Sequence, residues 1–544
     1  MKIKTLRIQN LRSFGPQLLS IDLSHADGYF VVAGLNAAGK SNLLEALRWI
    51  TLQKNIGGDL VESWDFHKGN TENPIKIEAE LDPPLKHGDT FNKFSDVGLL
   101  RFEAKEYKIG EEKGSVRCEH SALTPTGQPI LTDMATKLAK GRELTSEEKE
   151  GRQKTRPLMV REINGRIPIY YLDNASYHWH LSMQRGSLMS FLSKILHDDL
   201  LRDANRINWH GKDCTREEAI KEVLAELGGL LKTDRVDAIL STMADFMTAQ
   251  LQLPPKSLGL EIGLPGGMDL LKKLDFLGKD DAEVPLLPFE RLGRGYSALG
   301  IVALFRALNN LGDSAKGNII LIEEPEIFLG SHLRALFAST LQKFAKMGNQ
   351  VIVITHSAEF FDPAVPESAI LLKKESGATT PIQWPAKTKA PSFDITLKFI
   401  EPNLDRLIFS QRVLFLEGDD DYAAVQAALA LKGIVPAYYG LEILRLGGFG
   451  NIVHLAPYAN NFQILQAAFL DADAKNALLK IDPSSNSWKV MNPNLEGVLK
   501  TTKQSENSRH VAELIQACGT WDNLRKTYPD FAVPLEEIFK ILKL

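Results

Sequence analysis

The segment Gly34-Leu-Asn36-Ala-Ala-Gly39-Lys40-Ser41 restricts the fold of this chain more than any other stretch. It follows Tyr29-Phe-Val-Val-Ala33, an apolar run suited to a buried strand. It leads into Leu43, Leu44, Leu47 and Ile50, which recur at helical spacing. A glycine turn between strand and helix points backbone N–H groups inward, and the positive end of the helix adds to them, so the segment is a phosphate cradle. Lys40 can neutralise β- and γ-phosphates, and the Ser41 hydroxyl can ligate magnesium. Gly34, Asn36, Gly39, Lys40, Ser41 and Asn42 are therefore the first nucleotide-binding candidates, with ATP and Mg2+ as the expected cofactors.

A chain of 544 residues has room for three or four units at about 150 residues each. Hydrophobic content of 44% and charged content of 24% are ordinary for a globular protein. No apolar run reaches the ~18 residues of a membrane span. The first ten residues alternate like a strand and lack the apolar core of a signal peptide, so a cytoplasmic protein without a membrane partner is expected. The three cysteines, Cys118, Cys214 and Cys518, are too scattered for a disulfide framework or a structural zinc site. A net charge of −4 means that any nucleic-acid contact must come from local patches. The mixed charges between Lys137 and Arg166 read as a solvated face.

Lys2 to Asp22 reads as two short strands around Asn10-Leu-Arg-Ser-Phe14, and further strands are expected at Ile75–Leu81, Leu99–Tyr107 and Ile167–Leu172. The next nucleotide landmark, Asn318-Ile-Ile-Leu-Ile-Glu323-Glu324, comes far downstream, so something is inserted. Apolar spacing is helical in Leu181–Leu201 and Ala219–Leu251, with turns at Gly228-Gly229 and Pro254-Pro255. This defines a helical excursion over 181–262, flanked by ATPase parts at 1–180 and 263–400. Ala390-Pro391-Ser392 to Pro402 reads as a hinge into an α/β unit at 401–544.

Glu323 stands where a second magnesium ligand belongs, and Glu324 where a water-activating base belongs. Val351-Ile-Val-Ile-Thr355-His356 is another buried strand, whose histidine could sense a γ-phosphate or simply be a satisfied strand end. Gly293-Arg294-Gly295-Tyr296-Ser297 opens a helix over Ala298–Leu308 and could grip phosphate, adding Gly293, Gly295 and Ser297 to the candidates. In this order the segments resemble ABC-type ATPases of the SMC-like branch. The resemblance implies a homodimer in which the signature loop of one subunit completes its partner's nucleotide site. Two departures bear on turnover rather than on binding: Leu329-Gly330-Ser331-His332 replaces the usual Leu-His-Pro, and Tyr296 replaces a glycine or polar residue.

Near the other end, Val413-Leu-Phe-Leu-Glu417 and Gln466-Ala-Ala-Phe-Leu-Asp471-Ala-Asp473 are apolar strands ending in acids, a pattern suited to holding a divalent metal against a phosphodiester. With Leu444-Arg445-Leu446-Gly447-Gly448 between them, they resemble a Rossmann-like TOPRIM domain. That likeness implies that Glu417, Asp471 and Asp473 hold magnesium or manganese, with Glu417 alternatively shuttling a proton. Asp421 and Glu496 fit further acidic positions of two-metal nucleases. Asp421 fits a helix start equally well, and Asp419 and Asp420 read as caps. Lys503 and Arg509 are candidates for a late basic group, and each is equally an exposed helix residue.

The combination of an SMC-like ATPase, a helical insertion and a terminal TOPRIM unit resembles the OLD (overcoming lysogenisation defect) family, which includes antiphage nucleases. The resemblance implies an α/β, ATP-regulated, metal-dependent DNA endonuclease. Glu324, Glu417, Asp471 and Asp473 would be catalytic. Ser41, Glu323, Glu417, Asp421, Asp471, Asp473 and Glu496 would hold metal, and Glu323 and His356 would face the nucleotide. The insertion would join a homodimer or higher homo-oligomer. DNA and a defence-system protein or nucleic acid are the implied partners. A second reading is a DNA-sensing ATPase scaffold whose degenerate TOPRIM unit regulates a partner effector. An SMC-type repair ATPase would need sustained coiled-coil heptads, which the sequence lacks.

Overall fold

The computed structural model describes residues 1–51, 61–88, 94–106, 116–133, 155–158, 160, 167–173, 177–181, 187–188, 207–209, 211–214, 234–252, 254, 260–263, 275–278, 287–288, 294–310, 317–481, 487–500 and 508–544. Two compact units result. One comprises Met1–Val32, Ala37–Phe360 and Leu372–Pro381, and the other Ala33–Asn36, Phe361–Leu371 and Ile382–Leu544.

The chain opens with β1 (Lys2–Gln9) and β2 (Leu19–Asp22), passes through β3 (Tyr29–Gly34) into α1 (Lys40–Ile50), and returns as β4 (Ile75–Gly88), β5 (Phe94–Glu106) and β6 (Val116–Leu123). These strands, β3 aside, form an antiparallel sheet in the order β2-β1-β4-β5-β6. Ile3, Leu6 and Ile8 of β1 are buried between more exposed neighbours, as a sheet with one solvated face requires. Then follow β7 (Ile169–Leu172), α2 (Asp234–Gln250), α3 (Arg294–Asn310), β8 (Ile319–Glu323), α4 (Ser331–Lys346) and β9 (Gln350–Ile354).

Four strands, ordered β3-β9-β8-β7, run parallel. Their near-continuous Val and Ile runs are buried throughout, the mark of a sheet covered on both faces. α1 presents Leu43, Leu44, Leu47 and Ile50 inward at the expected spacing, and its Trp49 meets Phe102 of β5 edge-on at 5.4 Å. Phe305 of α3 packs on Phe344 of α4 at 5.2 Å. Within the 181–262 segment, the described residues include α2 but also a hairpin pairing Ile207–Trp209 with Lys212–Cys214. The excursion is thus not helical throughout. Gly211, at φ 81°, permits the tight turn that helical periodicity did not suggest.

The second unit contains β10 (Arg412–Leu416), α5 (Asp419–Lys432), β11 (Leu441–Arg445), α6 (Ile452–Asn461), β12 (Leu465–Asp471), β13 (Trp488–Met491), α7 (Leu495–Leu499), α8 (Ser508–Ala517) and α9 (Pro529–Ile541). Its sheet is wholly parallel, in the order β11-β10-β12-β13. Leu414, Leu416 and Phe469 share one core with α5, α8 and α9, where Phe469 meets Phe531 at 5.6 Å. Tyr458 and Phe462, at the end of α6, pack on Trp384. The stretch read as a hinge is wound into helical turns from Phe393 to Asn403. Pro402 sits in a first turn, where a missing N–H costs nothing. Among the described residues no helix is long and apolar enough to cross a membrane.

Candidate functional site

The phosphate loop is held by side chains remote in sequence. Gly39 caps α1 with a φ of 104°, and a Cβ there would lie 2.5 Å from Thr379 Oγ1 and 2.6 Å from Ser13 Oγ. Thr379 donates its hydroxyl to the Ala38 carbonyl at 2.8 Å, and Asn42 Nδ2 donates to Ser13 Oγ at 2.7 Å. Asn42 therefore braces the loop through Ser13. Lys40 is buried, and burial pushes its ammonium below the usual range despite the charges of Glu324 and Glu326.

The rim of the same sheet brings the acidic strand end to the loop. Ser41 Oγ donates to Glu323 Oε1 at 3.3 Å, while the Tyr171 hydroxyl at the end of β7 donates to Glu323 Oε2 at 2.6 Å. Burial, then Glu323, pushes the Tyr171 phenol well above its usual range, which keeps it a donor. Glu324 turns out of the sheet at φ 47°, an uncommon setting for a side-chain-bearing residue, and its N–H bonds Ile354 O at 2.7 Å. His356 Nε2 lies 3.9 Å from Glu324 Oε1. Burial and then Lys40 hold its imidazole below the ordinary histidine range. Glu324, Glu326 and His356 thus share the field of Lys40, and Glu323 is joined to the adjacent Ser41.

Gly293 lies outside the described residues. Ser297 is buried in the first turn of α3. A Cβ on Gly295 would meet nothing within 4 Å among the described residues. Arg294 stands over the Phe328 ring at 5.5 Å.

In the second unit, Leu416 of β10 pairs with Phe469 of β12, so Glu417 and Asp471 leave adjacent ends of parallel strands. Burial raises the Glu417 carboxyl above its usual range, followed by the charges of Asp471 and Asp473; backbone N–H groups of Phe449 and Asp471 act in the opposite sense. Glu417 Oε2 is buried and has no hydrogen-bond partner among the described residues. Asp421, in the first turn of α5, accepts the N–H of the cap residue Gly418 at 2.9 Å. Burial lifts its carboxyl to about 7, with Asp471 and Glu417 adding to the rise. Asp421 thus closes the start of α5 and also feels the charges of Asp471 and Glu417. Asp471 Oδ1 accepts the Leu495 N–H at 3.1 Å, which places Glu496 in the following position at the start of α7. Asp473 lies on the short turn directly after Asp471.

The charges of Asp471 and Asp473 act on Glu417, and those of Asp471 and Glu417 on Asp421, without the acids being closed around one point. Among the described residues no group of three His, Cys, Asp or Glu side chains is drawn together as a finished metal cage. Carboxylates of like charge repel at short range, and a cation is what would draw them in. An orphaned buried carboxylate oxygen, hard oxygen donors and raised carboxyl pKa values fit a divalent ion of the magnesium or manganese type.

Several contributors were not singled out from sequence. Asp419 and Asp420, read as caps, instead engage Arg445 at 2.6 Å and the Ser508 hydroxyl at 2.7 Å, and the cap itself is Gly418. Tyr171, Ser13 and Thr379 carry no motif, because their roles depend on strands that meet only in the fold. Glu326 was visible beside Glu323 and Glu324, but its partners were not. Arg509 pairs with Glu513 at 2.8 Å on an exposed helix face, and Lys503 lies outside the described residues.

The class is set by these two centres together: an ATPase segment followed by a TOPRIM domain. The family described as "AAA domain" matches residues 5–229 and that described as "AAA ATPase domain" matches 180–361. "Overcoming lysogenization defect protein-like, TOPRIM domain" matches 408–473, so the chain carries an OLD-like TOPRIM domain behind its ATPase segments. Over 484 residues it is 20% identical to the Old nuclease of Escherichia phage P2, covering 83% of this chain and 74% of that protein. Among solved structures, an Smc head bound to the C-winged helix domain of ScpA aligns with TM-score 0.39 and 14% identity, covering 71% of this chain and 98% of that one. The SMC head domain from Thermotoga maritima aligns with TM-score 0.32 and 13% identity, covering 71% and 100%.

Proposed function

We propose that this chain is an ATP-regulated, divalent-metal-dependent DNA endonuclease of the OLD type acting in antiphage defence. The observation that carries the reading is the coupled set of acids at the adjacent ends of β10 and β12, joined in one chain to a phosphate loop facing two strand-end glutamates. Glu417, Asp471 and Asp473, with Asp421 and Glu496 beside them, would hold the metal. A bound divalent cation supplies positive charge for the phosphodiester and eases deprotonation of water. The raised carboxyl of Glu417 suits it to hold or release a proton there.

At the ATPase centre, backbone N–H groups from Gly34 through Gly39, together with Asn36 and Lys40, bind the phosphates, with Asn42 bracing the loop. Ser41 and Glu323 would hold Mg2+, Glu324 would orient water and His356 would face the γ-phosphate. Gly293, Gly295 and Ser297 would complete a partner's site. The 181–262 excursion would join the copies of a homodimer or larger homo-oligomer. ATP controls access of DNA to the metal centre rather than driving cleavage.

The test is cleavage of supercoiled and linear DNA with Mg2+ or Mn2+, run with ATP, without it, and with a non-hydrolysable analogue. An Asp471→Ala/Asp473→Ala chain runs alongside, together with phage plaque counts on cells expressing either form. Cutting that needs metal, vanishes in the variant and tracks phage restriction is the expected result. Equal cutting by both chains rejects the site. Nucleotide binding without cutting under any metal would favour a DNA-sensing ATPase scaffold that acts through a partner effector.

A further inference from the structure

We infer that Glu326 is a positioning residue that sets His356 against Glu324 by clasping the ends of two neighbouring strands. β8 and β9 pair in parallel, with Glu323 level with Ile354. Beyond that level both leave the sheet. The left-handed backbone at Glu324, anchored to Ile354 O, decides which way the turn carries Glu326.

The turn delivers one carboxylate to the exit of β9. Oε2 accepts the Thr355 hydroxyl at 2.7 Å, and Oε1 accepts the His356 backbone N–H at 2.6 Å. Thr355 Oγ1 accepts the Ser357 N–H at 2.9 Å in turn, so three consecutive residues hang from Glu326. Hydrogen bonds to an ionised acceptor at these lengths are roughly twice as strong as neutral ones. Thr355 N–H is fixed from the other side by Val32 O at 3.2 Å, on the strand that leads to the phosphate loop. The imidazole is thereby aimed to within 3.9 Å of Glu324. The Glu326 charge also acts on Lys40, so the clasp faces the nucleotide site rather than the outside of the sheet.

The kinetic arm of the test rests on the ATPase reading; amide exchange does not. Full-length Glu326→Ala loses both acceptors. Its kcat for ATP with Mg2+ should fall on the order of 10–100-fold, because a misplaced group costs rate rather than binding. KM and the dissociation constant for ATP should stay within about three-fold. Glu326→Gln should recover most of the rate, since its amide oxygen can accept from His356 N–H while the Thr355 hydroxyl rotates to accept from the amide. Hydrogen exchange at the His356 amide should be fast in Glu326→Ala and slow in Glu326→Gln. Unchanged kcat, a loss confined to ATP binding, or an exchange rate that ignores the substitution overturns the clasp. Should the unsubstituted chain hydrolyse no ATP while exchange responds as expected, the clasp stands and the ATPase reading falls.

Discussion

The Ser41 hydroxyl donates to Glu323 Oε1 across 3.3 Å, joining the helix that follows the phosphate loop to a strand end 282 residues away in sequence. Glu323 receives its second donor from Tyr171, so the acid is held from two sides by the nucleotide helix and by the neighbouring strand.

Replacing Tyr171 with Phe removes one donor and leaves the ring. A hydrogen bond to a charged acceptor contributes about 1.5–3 kcal/mol, and 1.4 kcal/mol is a factor of ten in rate. We expect ATP turnover to fall about ten-fold or more, with nucleotide affinity little changed. Ser41→Ala should instead weaken magnesium-dependent nucleotide binding. Equal effects on kcat and affinity in both variants would contradict this division, and fluorescent-nucleotide titration beside steady-state turnover measures it.

Gly39→Ala should be damaging for a separate reason. A side chain at φ 104° is strained, and its Cβ would press on Thr379 Oγ1 and Ser13 Oγ. Strain of this kind costs on the order of 1–3 kcal/mol. The expected outcome is a lowered melting temperature and loss of ATP binding; retention of both would show that the loop can reorganise around the methyl group.

Metal should stabilise the second unit in a pH-dependent way. An unfolded aspartate titrates at about 3.9, whereas folded Asp421 titrates at about 7. Between those values the folded chain holds the extra proton, so stability without metal falls as pH rises through that window. Mg2+ or Mn2+ at about a hundred times its dissociation constant adds roughly 2.7 kcal/mol. We expect a melting shift of about 5 °C or more at pH 8, and a smaller one at pH 5.5, where protons compete for the carboxylates. Asp421→Asn should raise the metal-free melting temperature at pH 8 and shrink the metal shift. A shift independent of pH would count against these acids as ligands.

The antiparallel sheet should respond to acid in the opposite direction. Burial alone would raise the Glu78 carboxyl, but hydrogen bonds and charges from Arg101 and Lys76 outweigh it and hold the group below its usual range. Arg101 Nε donates to Glu78 Oε1 at 2.7 Å. The stabilisation is complete above the unfolded carboxylate value and is lost as pH falls through the lower folded value. Denaturation midpoints measured from pH 6 down to pH 3 should fall less steeply in Glu78→Gln than in the unsubstituted chain.

Much of this architecture was legible because it rests on local patterns. A buried run, a glycine turn and a helical stripe at 29–50 can form only one kind of unit, and β3 and α1 follow them closely. The acids at 417 and 471 stand out in sequence because the apolar runs Val413–Leu416 and Ala467–Leu470 lead directly into them, with Asp473 two residues further on. What local pattern could not convey was pairing. Tyr171, Thr379 and Ser13 matter because distant segments meet at the loop, and nothing within a few residues of any of them signals that meeting. The hairpin at 207–214 was missed for another reason: strands of three residues are too short to impose a period on their surroundings. Pro391 and Pro402 suggest a break around 393–403, whereas a proline in a first turn is compatible with the helical turns found there.

The level pairing of Leu416 with Phe469 limits how this chain can vary. Adding or deleting one residue inside β10 or β12 would carry its terminal acid about 3.3 Å along the sheet and swing it to the opposite face. Changes of length in the connections at 433–440, 446–451 and 462–464 leave both strand ends where they are. Tolerated insertions should therefore collect in the connections, and a library of single-codon insertions across 410–475 should be least tolerant within β10 and β12 and most tolerant at 433–440, 446–451 and 462–464.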